Sequence, residues 1–457
     1  MSSAQSHGGS VPVAEAAGSA GMIKGIPAPS KETVSLVFRR ILPILFLAYV
    51  MNFLDRSNIS MVKADLATDV GIEAIAYGMG SGLFFITYCA LMVPSNLLMH
   101  KIGARKMLGS IIFLWGLVST LMFLVNGPAM FYVLRLCLGA VESGFYAGVL
   151  YFLTRWFPHA ERARANSIFL MGAAIANILG NPVAGLLVQM HGLLGLNGWQ
   201  WLFIMEGIPA VLIGIGILVT LPDRPTEAKW LEPAKAQNLE AYIAAQDDEG
   251  ASDAGNYKWT DSFKDVQVLL TIVILFSVVM GVYANSYYLP AIIKERLGLE
   301  STLAVGLVTA IPYLVTAIVL GTVPQRVKPG RSTRITITGS IFSVAVGFLI
   351  GIAANPIIGI VGFCLAQAAT QLVQPLMMAN VSARFQGAML AGTIALINTL
   401  VQTGGFFAPN ILGIMESRTG SPSSGLWFVI GLCVITGVLS FWVKLPRTAT
   451  QEAAAED

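Results

Sequence analysis

Asp55 and Arg56 stand side by side within residues 41–61, a run that is otherwise largely apolar. A charged side chain at the centre of a bilayer costs about 2.5–3.5 kcal/mol on insertion scales, so such a residue marks a functional site by default. The guanidinium of arginine stays charged and binds a carboxylate through two hydrogen bonds. Arg56 is therefore the leading candidate to bind an organic anion. A purely structural ion pair with Asp55 is the alternative, although adjacent helix residues point about 100° apart.

A second charged pair, Arg135 and Glu142, lies in another apolar segment. Seven residues are two helical turns, or about 10 Å along the axis, so one helix can present both groups to the same cavity. Arg135 is a second candidate for substrate binding, although we expect it to act first as a counter-ion to a carboxylate. A partly desolvated carboxyl can exchange protons near neutral pH, which makes Asp55 and Glu142 the candidate proton-coupling groups. The alternative for Glu142 is a buried carboxyl without a transport role, and we expect Glu206 to bond to polar neighbours.

The apolar segments of the second half contain many polar side chains, which we expect to supply selectivity. The candidates there are Tyr287, Gln374, Asn398 and Gln402, and the first half adds Tyr88. Hydrogen bonds between helices are the alternative role for the amides, because membrane proteins commonly use Asn and Gln in this way. Apolar side chains near the first-half candidates favour a compact or aromatic carboxylate over a sugar acid.

The composition indicates a membrane protein. Of the 457 residues, 55% are hydrophobic and only 12% are charged, and the mean hydropathy is +0.71. Soluble domains average about 25% charged residues. No basic run with interleaved aromatic residues suggests a nucleic-acid partner. The four cysteines lack metal-ligand or disulfide spacing, so we expect buried free thiols, no metal and no cofactor.

The chain contains twelve apolar segments, and a membrane-spanning helix needs about 20 residues. Their approximate ranges are 38–62, 74–98, 105–125, 128–153, 163–190, 199–221, 264–292, 301–323, 333–353, 355–380, 388–415 and 424–444. The predicted fold is therefore an all-α membrane protein with twelve transmembrane helices in two six-helix bundles.

The segments and the polar stretches between them predict five regions. These are a disordered cytosolic tail (1–35), a first bundle (36–222), a cytosolic linker with amphipathic helices (223–262), a second bundle (263–446) and a cytosolic tail (447–457). The first 35 residues lack the apolar core of a signal peptide. Every second loop is basic, which predicts an inner-membrane protein with both termini in the cytoplasm.

Several strings together resemble the anion:cation symporter branch of the major facilitator superfamily. They stand at residues 51–59 (MNFLDRSNI), 94–98 (PSNLL), 103–105 (GAR), 135–145 (RLCLGAVESGF), 153–158 (LTRWFP), 198–207 (GWQWLFIMEG) and 404–409 (GGFFAP). The resemblance implies the major facilitator fold, and it places the proton-coupling acids at Asp55 and Glu142. The chain departs from the pattern at His100 and Gln325, where the superfamily usually has an acidic residue.

Two six-helix halves predict a transporter that binds its substrate between them and exposes the site to each side in turn. We expect an importer of an organic carboxylate (a sugar acid, dicarboxylate or aromatic acid) by proton symport. Its partners would be the small anion, protons and the lipid bilayer, without nucleic acid, and the protein would be a monomer and not an enzyme. The alternatives are a proton-coupled drug or cation antiporter of the same fold and a membrane sensor that does not transport.

Overall fold

A computed structural model describes residues 22–250, 264–327, 331–385 and 387–444 of the chain. Two short antiparallel strands, β1 (Met22–Ile23) and β2 (Ile26–Pro27), precede the helices. The helices are α1 (Lys31–Met61), α2 (Lys63–Val70), α3 (Ala74–Ile102), α4 (Ala104–Leu121), α5 (Pro128–Glu142), α6 (Phe145–Thr154), α7 (His159–Val188), α8 (Gly198–Thr220), α9 (Pro233–Gly250), α10 (Val266–Leu297), α11 (Thr302–Thr322), α12 (Arg331–Ala353), α13 (Pro356–Ser382), α14 (Gly387–Gln402), α15 (Gly404–Thr419) and α16 (Leu426–Leu439). Short 3-10 turns stand at Met122–Leu124, Leu193–Gly195, Pro225–Glu227, Pro324–Arg326 and Ser440–Trp442.

Polar side chains at the helix starts bind the backbone N–H groups that a helix leaves without partners. The Ser30 side chain accepts a hydrogen bond from the Thr33 N–H at 3.2 Å before α1. Asp265 accepts one from the backbone N–H two residues later, at 2.7 Å, before α10. Asn197 and Gln200 form a capping box at the start of α8. The sequence thus determines where these helices begin.

The prediction of twelve transmembrane helices is confirmed, with two of them divided. Within the described residues, ten helical spans are long and apolar enough to cross a membrane, and the shorter apolar helix Leu426–Trp442 matches the twelfth segment. The fourth segment divides into α5 and α6, and the eleventh into α14 and α15. The eleventh divides before Gly404 and Gly405, where a Cβ on Gly405 would lie 2.6 Å from the Phe85 ring. Glycine permits this close approach and weakens a continuous helix.

The first residues that the structure describes differ from the expected disordered tail. Residues 22–27 form the strand pair, and α1 begins at Lys31, before the predicted end of the tail at residue 35. The N-cap at Ser30 explains this early start. Residues 1–21 and 445–457, which carry the rest of the predicted tails, lie outside the described residues. Among the cysteines, Cys364 and Cys433 are buried as expected, but Cys137 is exposed.

The predicted linker, residues 223–262, contains one described α-helix, α9, which packs beside the first half. Its Leu239 and Ile243 are buried, and Trp230 just before it stacks on Trp156 with the ring centroids 5.7 Å apart. Asp247 accepts a hydrogen bond from the Arg162 guanidinium at 2.9 Å. Part of the predicted linker, residues 251–263, lies outside the described residues.

The two halves meet through α3 against α15 and α7 against α11, and α1 also contacts α10. Glycines allow the backbones to approach: a Cβ on Gly78 would lie 2.3 Å from the Pro409 carbonyl oxygen, and one on Gly306 would lie 2.2 Å from that of Asn181. Small residues at such crossings are typical of tightly packed membrane helices. Both crossings lie toward the end of the bundle where α1 ends and α3 begins.

An ion pair joins the halves at that same end. Lys63 of α2 pairs with Glu416 of α15, and both side chains are largely shielded from solvent. The Lys63 ammonium also lies 4.2 Å from the centre of the Tyr288 ring, close enough for a cation–π interaction. The Tyr77 hydroxyl of α3 donates to the Tyr287 carbonyl oxygen of α10 at 3.0 Å. The halves are therefore closed against each other at this end.

Candidate functional site

The adjacent charges of α1 point to different partners. The Arg56 guanidinium binds the Glu142 carboxylate of α5, with Nε and Nη2 each 2.9 Å from Oε2. Asp55 instead accepts a hydrogen bond from the Ser119 hydroxyl of α4. The structural alternative of an Asp55–Arg56 ion pair is therefore wrong, because adjacent helix residues do not face each other.

Glu142 is a completely buried carboxylate at the last position of α5. Its Oε2 atom accepts hydrogen bonds from the Arg56 guanidinium and, at 2.8 Å, from the Asn52 amide. Its Oε1 atom is buried and makes no hydrogen bond to the described residues. Asn52 lies one turn before Arg56 on α1, so that helix supplies both donors. Such a pair is stable only while its partners stay together, because removing one partner leaves an uncompensated buried charge.

Aromatic rings surround the Arg56 guanidinium on its remaining sides. Its carbon atom lies 4.9 Å from the centre of the Tyr88 ring, 5.3 Å from that of Phe84 and 6.0 Å from that of Phe53. Rings at this distance attract a cation through their negative faces. The side chain of Arg56 is nevertheless 18% exposed, whereas that of Glu142 is 0% exposed. Arg56 is thus held in place, and part of its side chain is left uncovered by the described residues.

Arg135 lies deeper and connects the two halves. It is 2% exposed, its Nε donates to the Gly80 carbonyl oxygen at 3.4 Å, and its Nη2 donates to the Tyr287 hydroxyl at 3.3 Å. Phe84 lies 5.0 Å from its guanidinium carbon. Its partners are therefore a tyrosine and a carbonyl group rather than the carboxylate that we expected as its counter-ion.

The second half brings its own aromatic and amide groups to this cluster. The Tyr283 hydroxyl donates to the Gln402 side-chain oxygen at 3.1 Å, and its ring stacks on Tyr287 with the centroids 6.1 Å apart. The Phe85 ring of the first half packs edge-on against Tyr283 at 4.5 Å. The cluster therefore lies between the halves, where the substrate site was predicted.

The structure brings some predicted site residues together and leaves others apart. Tyr88, Tyr287 and Gln402 lie in or next to the arginine cluster. Gln374 is exposed and Asn398 is half-buried, and none of the described contacts connects either one to the arginines.

Sequence reasoning missed Asn52, Phe84 and Ser119. Asn52 and Phe84 touch the charged groups from within the cluster, and Ser119 binds Asp55. The spacing of Asn52 one turn before Arg56 could have revealed it. Phe84 and Ser119 carry no comparable signal, because apolar and small polar residues are common in any membrane helix.

Comparisons with known proteins agree with this architecture. Residues 45–409 match the Major Facilitator Superfamily. A protein from Agrobacterium vitis named "Putative tartrate transporter" is 35% identical over 415 residues, which cover 90% of this chain and 94% of that protein. The quinolone resistance transporter of Acinetobacter baumannii is 33% identical over 431 residues, or 92% of this chain and 97% of that protein.

The fold also resembles solved structures. The crystal structure of a bacterial homolog of the human lysosomal transporter Spinster, in an inward-facing and unoccupied conformation, superposes with a TM-score of 0.72. It is 16% identical, and the match covers 91% of this chain and 97% of that one. Fold and site together define a multi-pass membrane transporter. The chain belongs to the major facilitator superfamily, as its sequence strings predicted.

This assignment decides several broader expectations. The protein is a membrane-embedded transporter with a small-molecule substrate, and it is not an enzyme. The alternative of a sensor that does not transport is therefore disfavoured.

Proposed function

We propose that this transporter carries an organic carboxylate together with protons, by exposing the site between its halves to each side of the membrane in turn. One observation carries the proposal: Arg56 is a partly exposed cation at the interface between the halves, and its partner Glu142 is a buried acid. An organic anion inside the membrane needs a fixed cation to bind. Proton coupling needs an acid that takes up a proton when its cationic partner is drawn away.

The geometry suggests how the two events are linked. Glu142 and a substrate carboxylate compete for the same guanidinium, because Oε2 of Glu142 occupies both Nε and Nη2 of Arg56. When the substrate binds Arg56, Glu142 loses its main counter-charge and takes up a proton. When the substrate leaves, Glu142 returns to Arg56 and releases the proton. Asp55, held by Ser119 on the other face of α1, is the second proton-coupling group.

The relatives support a carboxylate as the substrate. The protein named as a putative tartrate transporter matches nearly the whole chain, and tartrate is a small dicarboxylate. Arg56 and Arg135 would each bind one carboxylate group, with Tyr88, Tyr287 and Gln402 around them. The aromatic rings near Arg56 favour a compact or planar anion, and the substrate identity within that class is set by the second half.

A drug antiporter of the same fold is the second candidate. The quinolone resistance transporter is 33% identical to the chain, and an aromatic site suits planar organic molecules. The buried arginines oppose an exclusively cationic cargo. The direction of proton-driven flux separates the two candidates, since a symporter accumulates its substrate with inward proton flow and an antiporter expels it.

We also propose that the protein is a monomer in the cytoplasmic membrane, with both termini and α9 in the cytoplasm. The alternation of basic and nearly uncharged loops supports this orientation. The closed end of the bundle, with Lys63 and Glu416, would then face the outside.

Reconstituted vesicles with an imposed pH gradient test the proposed function. We expect the wild-type protein to accumulate radiolabelled tartrate or an aromatic carboxylate, and Arg56→Ala to lose at least 90% of that uptake. Arg164→Gln is the matched control, because the Arg164 side chain is 70% exposed and touches only Glu161 and Phe38 among the contacts seen. Uptake by Arg56→Ala at the wild-type rate, or no carboxylate uptake by any form, would defeat the proposal.

A further inference from the structure

Glu206 is a buried carboxyl that the proposed cycle does not yet use. It lies eight residues into α8 and is 5% exposed. Both of its side-chain oxygens are buried, and neither accepts a hydrogen bond from the residues that the structure describes. Of the polar neighbours that we expected to bind Glu206, Asn58 of α1 lies near it, but no well-formed hydrogen bond joins the two side chains. A buried carboxylate without a hydrogen-bond donor is costly in the membrane interior, so its charge must be compensated or removed.

The groups around Glu206 come from the helices that pack against α8, namely α1, α4 and α7. Asp55 and Asn58 of α1 lie close enough to act on its charge. The Asn58 amide nitrogen is also buried without a described partner, as is the Oδ2 atom of Asp55. These atoms and Ser119 of α4 form a polar seam inside the first half.

Arg56 and Arg135 act on Asp55, but no cation of the described residues acts on Glu206 itself. The charged side chains of α4 are Arg105 and Lys106, both in its first turn, and those of α7 lie at residues 159–164, also near its start. Arg105 binds Asp223, which lies beyond the far end of α8 and about 25 Å along the helix direction from Glu206. Among the residues that the structure describes, the ionisable neighbour that acts on Glu206 is another acid, Asp55.

The charges of the first-half core do not balance. Asp55, Glu142 and Glu206 are buried acids, whereas the cations at its centre are Arg56 and Arg135. Arg56 is paired with Glu142, and Arg135 binds Gly80 and Tyr287. An ionised carboxylate without a partner is so costly to bury that such groups become neutral instead. A bound proton removes the charge of Glu206, for which the described residues offer no cation.

We propose that Glu206 is a third proton-binding group of the transport cycle and works as a unit with Asp55. This inference rests on the proposed proton symport. Glu206 holds a proton in the state described here, as a neutral carboxylic acid. When α1 moves during the cycle, the environment of Asp55 and Glu206 changes, and Glu206 releases its proton to water. The remaining carboxylate then accepts a hydrogen bond from the Asn58 amide. Uptake reverses these steps, so Glu206 binds and releases one proton in each cycle, in addition to the protons of Asp55 and Glu142.

Infrared difference spectroscopy tests the protonation directly and needs no substrate. We expect a carboxylic-acid C=O band in the purified wild-type protein at neutral pH that disappears in Glu206→Gln. The band should persist in Glu161→Gln, because this half-exposed acid is not part of the seam. Glutamine has the shape of a protonated glutamate, so Glu206→Gln should also unfold at the wild-type temperature. A spectrum that Glu206→Gln leaves unchanged would overturn the proposal.

Proton counting in vesicles tests the role. With a saturating substrate, Glu206→Gln should carry one proton fewer per substrate than the wild type, and its uptake should depend less steeply on pH. Glu206→Asp, which keeps the acid, should restore the proton count even if its rate is lower. An unchanged count in Glu206→Gln would make Glu206 a structural acid and refute the proposal. If the wild-type protein shows no proton-driven uptake, the proposed symport itself is refuted. This outcome is distinct from a failure of the Glu206 proposal, because it is seen in the wild type alone.

Discussion

At the residue scale, the site depends on competition for one guanidinium. Arg56 is bound by Glu142 and by three aromatic rings, so it is positioned before a substrate arrives. Pre-positioning reduces the ordering cost of binding. Because Glu142 is completely buried, its ionised form depends on Arg56 and Asn52 for stability. Anything that draws Arg56 away favours the protonated form of Glu142.

This argument predicts the behaviour of Glu142→Gln. The amide keeps the shape of the acid but cannot exchange a proton, so accumulation driven by a pH gradient should fall at least tenfold. Exchange of internal for external substrate needs no net proton movement and should continue. Uptake and counterflow assays in the same vesicles measure the two activities, with the exposed Glu300→Gln as the control. Full proton-driven accumulation by Glu142→Gln would contradict the coupling role.

At the element scale, ion pairs between one acidic and two basic side chains help to hold the end of α9 against the first half. Asp247 interacts with His159 at 3.0 Å and with Arg162 at 2.9 Å, both at the start of α7. Burial alone would raise the pKa of Asp247, but the hydrogen bonds from His159 and Arg162 outweigh this and lower it. The contact therefore stabilises the docked helix above the ordinary carboxyl pKa of about 3.9 and is lost as the pH falls through the lowered value.

We expect Asp247→Asn to loosen α9 at neutral pH. Hydrogen exchange of the backbone amides at residues 233–247 should become faster, because the pairs with His159 and Arg162 are gone. Acidifying the wild-type protein from neutral pH through the lowered pKa of Asp247, which lies below the ordinary carboxyl value, should have the same effect, since it protonates the same carboxyl. Lys235→Gln is the control, because Lys235 pairs only with nearby Glu232 among the ion pairs seen. Equal exchange in Asp247→Asn and the wild type would show that apolar packing alone holds the helix.

At the scale of the whole molecule, the two halves are closed at one end by glycine crossings and the Lys63–Glu416 pair. Transport requires this end to open and close again. The helices must therefore pack closely at the glycine crossings in the closed state and separate in the open state. Hydrophobic attraction between helices is weak inside lipid, and close backbone packing replaces it. The glycines are therefore part of the moving interface.

Two glycines of α11 make a matched test of that interface. A Cβ on Gly306 would lie 2.2 Å from the Asn181 carbonyl oxygen of α7, whereas one on Gly321 would meet no atom within 4 Å. Gly306→Ala should hold the closed end apart and slow transport severalfold, and Gly321→Ala should transport normally. Thiol labelling of a cysteine placed at Ala67, which lines the cavity beside Lys63, reports the opening. If Gly306→Ala is labelled and transports like the wild type, then α7 and α11 accommodate the added methyl group without separating, and the prediction is wrong.

The sequence by itself determined the class of molecule. Twelve apolar segments, the polar interruption after the sixth and charges within apolar runs predicted the fold, because each spanning helix must satisfy its own backbone hydrogen bonds. The same local physics located Asp55, Arg56 and Glu142, since charges in a membrane helix are too costly to be accidental.

Only the tertiary structure decided which of these groups act on one another. Adjacent residues in the chain, Asp55 and Arg56, separate toward different helices, and residues 86 positions apart, Arg56 and Glu142, form the ion pair. The division of the eleventh helix likewise depended on a tertiary contact, the close approach of Gly405 to the Phe85 ring. Pairing of this kind depends on the orientation of whole helices, which results from the packing of all their neighbours and leaves no local pattern in the sequence.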